Sequence, residues 1–278
     1  MRVLAVGWAN LDQRYYVEAF PPTKSRTGVR AYRETLGGPA AVAAQAVARL
    51  GGSARLLSRW GKDPAGARLR AMLEAEGVEV HLQLGDATPV SAVLVTPVGE
   101  RYIFPYRPPL PTGLELDPVR LLEGVGAVLL DGRWPEAGQA VGALARARGL
   151  PVVLDLDRNR APDWSLVTVA SHVVASEELA LEHGGIELLL DRLAKQGVFA
   201  AVTLGARGVV YEGGHLPAHR LEVQDTTGAG DVFHGAFALA LAEGQAASVA
   251  LRFANAAAAL HCARGSPPSR QAVEALLG

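Results

Sequence analysis

One cysteine, Cys262, stands among 278 residues, so no internal disulfide can form and a disulfide-stapled extracellular scaffold is excluded. Charge of a dominant sign is also missing. The 27 basic and 28 acidic side chains leave a formal net charge of −1, which gives no long-range field to hold nucleic acid or an anionic membrane. Any anionic ligand must be held locally. No apolar run approaches the ~18–20 residues that a bilayer span needs. The opening Met1-Arg-Val-Leu-Ala-Val-Gly7 lacks the apolar segment and cleavage site of a secretory leader, and a cytoplasmic protein is therefore expected. What is plentiful is core: 49% of residues are hydrophobic, too many for a disordered chain.

Short β-rich apolar runs occur at Val3–Val6, Ala54–Ser58, Ala127–Leu130, Val152–Leu156, His172–Ala175 and Phe199–Thr203. Between them lie segments of helical pattern that open on proline and close before glycine: Pro39–Leu50, Pro64–Glu76 and Pro135–Arg148. Proline suits the first turn, where its missing N–H is no loss, and glycine suits the left-handed residue past the end. Strands alternating with helices predict a parallel sheet covered on both faces. Two stretches break this rhythm, Tyr15–Leu36 and Ser91–Pro111. In the second, Ser91–Thr96 and Arg101–Tyr106 flank a Pro97-Val98-Gly99 turn. Having no helix to cover them, these strands either pair as a small flap beside the main sheet or remain irregular surface loops. From Ala229 onward the chain is Ala-rich and helical.

Chemistry concentrates in Asp225-Thr-Thr-Gly-Ala-Gly-Asp231, followed by the helical pattern Val232–Glu243. A glycine-flanked turn entering a helix presents unpaired backbone N–H groups at the positive end of the helix dipole, which is an anion site. Gly228 and Gly230 permit close backbone approach. Asp231 stands in the first turn, where the dipole favours the ionised carboxylate. A carboxylate beside such a cradle has the parts that phosphoryl transfer to a hydroxyl requires: donors for the moving charge and an acceptor for the hydroxyl proton. The plainer alternative is a helix cap after a flexible turn.

The whole seven-residue string matches the signature of the ribokinase-like, or PfkB, carbohydrate kinase family, and other segments resemble that family in the same order over nearly the full chain. Gly7-Trp-Ala-Asn-Leu-Asp12 resembles the early sugar-binding segment, whose Asp holds substrate hydroxyls. Gly37-Gly38 with Arg49-Leu50-Gly51 is similar to the N-terminal signature. Thr203-Leu-Gly-Ala-Arg-Gly208 resembles the nucleotide-binding strand end and turn, and Asn255 stands where a helix residue contacting adenosine is expected. The resemblance implies a single domain over 1–278, a three-layer α/β/α sandwich with a mostly parallel central sheet. It also implies a small β-strand lid from insertions 15–36 and 89–107, which closes over the sugar and joins two copies as a homodimer. The implied reaction moves the γ-phosphoryl group of ATP to a sugar hydroxyl. Asp231 would be the base and Gly228, Ala229 and Gly230 the anion hole. Thr203, Gly205, Gly208 and Asn255 would bind ATP, and Asp12 and Gly38 the sugar. Mg²⁺ would bridge the phosphates, and a K⁺ site is implied near Asp225 and Thr227.

Val42 replaces the family's asparagine in the N-terminal signature, and the Asn-x-x-Glu element is half present in Ala175-Ser-Glu-Glu178, leaving Glu178 as an indirect Mg²⁺ contact. Asp131-Gly-Arg-Trp134, Phe233-His234-Gly235 and Arg252-Phe253-Ala254 look more like the sulfofructose kinase branch than ribokinase itself, although Pro105 stands where that branch would carry a polar lid residue. Arg133 would there face an anionic sugar substituent, which a guanidinium suits. The expected substrate is accordingly a small anionic ketose or sugar acid. The alternatives are a nucleoside or neutral sugar such as ribose or fructose, or sugar binding without catalysis.

Other readings fail on residues. Phe233 stands where the third glycine of a dinucleotide fingerprint belongs, and no Gly-x-x-x-x-Gly-Lys-Ser/Thr string occurs. His215 and His219 have metal-like spacing, but Pro217 between them fits a surface turn better than a helical ligand pair. Cys262, in an Ala-rich helix, reads as a buried small apolar residue.

Overall fold

The computed structural model describes residues 1–22, 27–157 and 164–278. In chain order, β1 (Arg2–Val6) enters the core, β2 (Asn10–Val17) and β3 (Val29–Gly37) form a hairpin outside it, and α1 (Pro39–Arg49) returns to it. Next come β4 (Ser53–Gly61), α2 (Pro64–Ala75), β5 (Glu79–Gly85) and a second excursion through β6 (Val90–Val95) and β7 (Arg101–Tyr106). The remainder runs α3 (Pro118–Leu121), β8 (Ala127–Leu130), α4 (Pro135–Ala147), β9 (Val152–Leu156), β10 (His172–Ser176), α5 (Glu177–Glu182) and α6 (Ile186–Ala194). It ends with β11 (Phe199–Thr203), β12 (Val209–Tyr211), β13 (Gly214–Leu216), α7 (Ala229–Ala242), α8 (Ala247–Arg264) and α9 (Arg270–Leu277).

Nine strands form one sheet in the order β13-β12-β11-β10-β9-β8-β1-β4-β5. From β11 to β5 every neighbouring pair is parallel, and the last two strands fold back antiparallel. Strand periodicity sends alternate side chains to opposite faces. In β1, Val3 and Ala5 join the core under α1, α7 and α8, while Leu4 and Val6 join the core under α4. The result is the three-layer α/β/α sandwich. The predicted strands and helices agree with the observed ones to within a few residues. β5, an edge strand bearing Glu79, His81 and Gln83, lacks the apolar run that marks the others. The three-residue β12 and β13 carry too little pattern to show in the sequence.

The two excursions meet as a four-stranded sheet in the order β3-β2-β6-β7, a small lid over the C-terminal ends of β1 and β8. β2 pairs antiparallel with β3 and parallel with β6, and β6 pairs antiparallel with β7. The first lid strand starts at Asn10, earlier than Tyr15, so Asp12 belongs to the lid and not to a loop. Residues 23–26 of the first lid segment lie outside the described residues.

Small side chains bring α1 and α7 together. α1 buries Ala40, Ala41, Ala43, Ala44 and Ala46, and a Cβ placed on Gly235 of α7 would lie 2.5 Å from the Ala43 carbonyl oxygen. Glycine is required there by contact with backbone, which cannot move aside as a side chain can. Among the described residues, no helix is long and apolar enough to cross a membrane.

Candidate active site

α7 starts where the sequence places its signature. Gly228 caps it in the left-handed conformation, φ 78° and ψ 6°, which a side chain would strain. The Val232 N–H donates to the Gly228 carbonyl at 2.9 Å. Ala229 N–H already closes a turn onto Thr226 O at 3.2 Å, a difference from the expected anion hole. From Thr226 to Asp231, the amides of Thr226, Gly228, Gly230 and Asp231 have no acceptor among the described residues, while Thr227 N–H donates to Asp225 Oδ1.

Two cavities meet at this helix start. One, of about 510 Å³, brings together Thr203, Gly205, Gly208 and Asn255 with Ala229 and Gly230. Asn255 is oriented by donating from Nδ2 to Pro217 O at 2.8 Å. The other, of about 290 Å³, lies under the lid and is lined by Asp12, Gly38, Arg107, Arg133, Asp157 and Asp231. Asp231 thus borders the lid cavity and its neighbours Ala229 and Gly230 border the larger one. A third space of about 440 Å³ adjoins the lid cavity and is lined by Arg14, Val42, Asp225, Thr227, Gly228 and His261 as well as by Asp12 and Asp231.

The electrostatics differ from the sequence expectation at Asp231. Burial, then the neighbouring Asp155 carboxyl, push its pKa up to about 7, outweighing Arg133 and His234. The helix dipole does not keep it an ordinary carboxylate, because protein surrounds it on the side away from the cavity. Asp155, near the end of β9, is itself raised well above the usual range by burial and by Asp157. Behind both, His234 turns Nδ1 to Gly230 O at 2.7 Å and Nε2 to Val174 O at 3.3 Å, with Asp155 Oδ1 3.5 Å away. His234 is therefore a buried support and not a cavity residue.

Arg133 reaches the lid cavity but is not free for an anion. Its Nη2 donates to Asp157 at 2.8 Å and its Nη1 to Asp131 O at 3.1 Å. Burial opposes its charge, yet Asp131, Asp157 and Asp155 outweigh that and raise its pKa. The sequence showed a cation at a strand end, and its carboxylate partner lies beyond the next strand. Asp131, which the sequence reading left without a role, organises the floor. Its Oδ2 accepts Trp8 N–H at 2.6 Å and Ala40 N–H at 3.3 Å, and its Oδ1 accepts Arg133 N–H at 2.9 Å. Gly7 passes so close that a Cβ there would overlap this carboxylate. Asp12 is oriented by Asn10 Nδ2 at 2.6 Å. Burial raises its pKa, against hydrogen bonds from Asn10 and Ser91. At Gly38, φ is 91° and a Cβ would lie 2.5 Å from Trp8 O, so α1 can start against the β1 turn only with glycine.

Two expected ion sites do not form as anticipated. Asp225 Oδ1 accepts Thr227 N–H at 2.7 Å and faces Arg101 Nη1 at 2.9 Å, and Oδ2 accepts from Arg14 Nη1 at 3.2 Å. Thr227 O is taken by His261 Nε2 at 2.6 Å. An alkali cation needs several protein oxygens in place of its hydration shell. Both Asp225 carboxylate oxygens and Thr227 O are taken by nitrogen donors, and the buried Thr227 Oγ1, which has no partner, is one oxygen where a set is needed, so Asp225 and Thr227 do not by themselves fit K⁺. Glu178 is exposed on the first turn of α5 and lines none of the three cavities, while its neighbour Glu177 pairs with Arg207. Among the described residues no three His, Cys, Asp or Glu side chains converge as metal ligands. Mg²⁺, which keeps several waters and is bound by few carboxylates together with substrate phosphates, does not need such a cluster.

Comparison with known proteins agrees with this architecture. The sequence profile of the pfkB family carbohydrate kinases matches residues 1–270. A ribokinase of Bacillus subtilis is 30% identical over 296 aligned positions, covering 99% of both chains. An ATP-dependent ribose-1-phosphate kinase of Halopiger xanaduensis is 29% identical, covering 100% of this chain and 98% of its own. The structure of Arabidopsis thaliana ribokinase complexed with ribose and ATP superposes with a TM-score of 0.85 at 26% identity, covering 99% of this chain and 98% of that one.

Proposed function

Because the chain belongs to the pfkB family of carbohydrate kinases, and is therefore a phosphotransferase with a sugar hydroxyl as acceptor, we propose that it transfers the γ-phosphoryl group of ATP to ribose or a similar neutral sugar. In this reading ATP lies in the cavity of Thr203, Gly205, Gly208 and Asn255, and the sugar lies under the lid between Asp12, Gly38 and Asp231. ATP dependence also suits a cytoplasmic setting. Asp231 accepts the proton of the attacking hydroxyl, as its position beside open helix amides requires. The Gly228 and Gly230 N–H groups bear the charge gathering on the transferring phosphoryl oxygens. Asp12 accepts from sugar hydroxyls, and the lid excludes water from a step that hydrolysis would otherwise waste.

The observation that carries the neutral sugar is the ion pair of Arg133 with Asp157, together with its donation to the main-chain carbonyl of Asp131: the guanidinium is already engaged by the protein, and the carboxylates of Asp12 and Asp231 on the same cavity suit hydroxyl donors. The anionic ketose expected from Arg133 loses its main support. A phosphorylated sugar remains the second reading, favoured by exposed Arg107 on the same cavity and by the Halopiger relative. An ADP-release screen over ribose, fructose, adenosine, ribose 1-phosphate, sulfofructose and 2-keto-3-deoxygluconate separates the two. Ribose or another neutral sugar should give the highest kcat/KM, and Arg133→Ala should depress charged and neutral substrates alike. A tenfold preference for an anionic sugar that Arg107→Ala abolishes would establish the second reading instead.

The outer lid face supports a homodimer. Tyr15 and Tyr32 rings lie 5.1 Å apart, and Phe20 packs on Tyr102 at 4.3 Å and on Phe104 at 6.4 Å. Phe104 is nonetheless 54% exposed and Tyr32 48%, a patch of the kind a second copy covers. Sedimentation should give the mass of two chains, and Phe104→Glu should return it to one.

A further inference from the structure

The loop that enters α7 is held from the lid. Arg14 on β2 lies two residues past Asp12 and so shares its face of the lid sheet. Arg101 opens β7 opposite Val95, and Val95 pairs with Tyr16 of β2, which puts Arg101 on that same face. Both guanidiniums converge on Asp225, the first residue of the loop that carries the Gly228 and Gly230 amides. The contacts are 3.2 Å for Arg14 and 2.9 Å for Arg101. The pairs are half-buried, with side-chain exposures of 14% for Arg14 and 24% for both Arg101 and Asp225. They are therefore less screened than surface ion pairs. Two positive charges on one carboxylate also make the site repulsive to a further cation.

Resting on the kinase reading, we propose that Arg14 and Arg101 are positioning residues that couple lid closure to the phosphate-binding loop, in place of a monovalent cation, so that turnover requires no alkali metal. When the lid shuts on a sugar, the same β2 strand that delivers Asp12 delivers Arg14, and Asp225 is gripped from β2 and β7 together. The loop amides are then ordered in the state that also holds the acceptor, which withholds an assembled phosphate site from water until sugar is present.

The test compares the protein in KCl, NaCl and tetramethylammonium chloride at equal ionic strength, reading kcat by ADP release and the melting temperature. The wild type should give the same kcat within twofold and the same melting temperature in all three. A double variant, Arg14→Met with Arg101→Met, frees Asp225. In tetramethylammonium its kcat should fall at least tenfold, and KCl should restore fivefold or more and raise its melting temperature. A wild type activated tenfold by KCl overturns the proposal, as does a double variant with unchanged kcat. A variant equally impaired in every salt overturns it too, since the arginines would then be structural props. If the double variant does not fold, the wild-type salt comparison decides alone. If no sugar in the screen yields ADP, the kinase reading fails separately, and the melting temperatures still decide whether Arg14 and Arg101 exclude the cation.

Discussion

Asp231→Asn should lower kcat about 10³-fold, the middle of the range for a positioned general base, or about 4 kcal/mol in the barrier. ATP affinity should stay the same or tighten slightly, because Asp231 borders the lid cavity and not the one lined by Thr203 and Asn255, and because the variant removes a negative charge near the phosphates. Direct titration with a non-hydrolysable ATP analogue reads the second half of this expectation. The same group sets the pH profile. Only ionised Asp231 can accept the hydroxyl proton, and its pKa is pushed up to about 7 by burial and by Asp155. kcat/KM should therefore fall tenfold per pH unit on the acid side of about 7 and level off above it. Activity that persists undiminished at pH 5, or near-normal turnover by Asp231→Asn, would remove Asp231 from the chemistry.

The largest stability loss is expected at Asp131, which only binds the frame. Its carboxylate is 3% exposed and accepts N–H groups from the turn after β1, from the first residues of α1 and from the turn after β8. Asp131→Ala leaves these donors buried without partners and deprives Arg133 of one of its carboxylates. Unsatisfied buried donors cost about 1–3 kcal/mol each, and Asp131 serves three of them. A loss near the upper part of that range corresponds to a drop in melting temperature of roughly 10 °C for a chain of this size. Asp131→Asn keeps one acceptor oxygen and should fall between. If Asp131→Ala melts within about 2 °C of the wild type, the three donors find other acceptors and this account is wrong.

What was legible in the sequence was contiguous. Asp231, Gly228 and Gly230 share one string at a helix start, and the strand-end Thr203 and the helix residue Asn255 keep family spacing; all of them line the cavities named above. What was not legible depends on neighbours brought together by sheet order. Asp155 sits in a buried apolar strand, and its effect on Asp231 requires knowing that β9 and α7 pack together. Arg133 was visible as a cation, but its balance by Asp157 was not, because charge pairing across adjacent parallel strands has no signature along the chain. Arg14 and Asp225 are separated by 211 positions, and only the lid order β3-β2-β6-β7 brings them into reach. The start of the first lid strand was missed because Asn10-Leu-Asp12 continues directly from the β1 turn with no break in composition.

The contact between Gly235 and Ala43 acts as a ruler. α1 carries Gly38 at its tip beside the sugar cavity, and α7 carries Gly228 to Asp231 at its own tip. Because backbone meets backbone where they cross, the spacing at that point has no side chain whose rotamer could lengthen or shorten it, and nearer the tips Val42 of α1 stands against Gly228. In the proposed reaction the lid would shut over a sugar without drawing the two helices closer at their crossing. On the proposed kinase reading, which hydroxyl is phosphorylated is then expected to be a matter of length: the sugar carbon whose oxygen spans that interval should react, and a sugar one carbon too short or too long should be rejected by distance even where polar contacts along its edge are made.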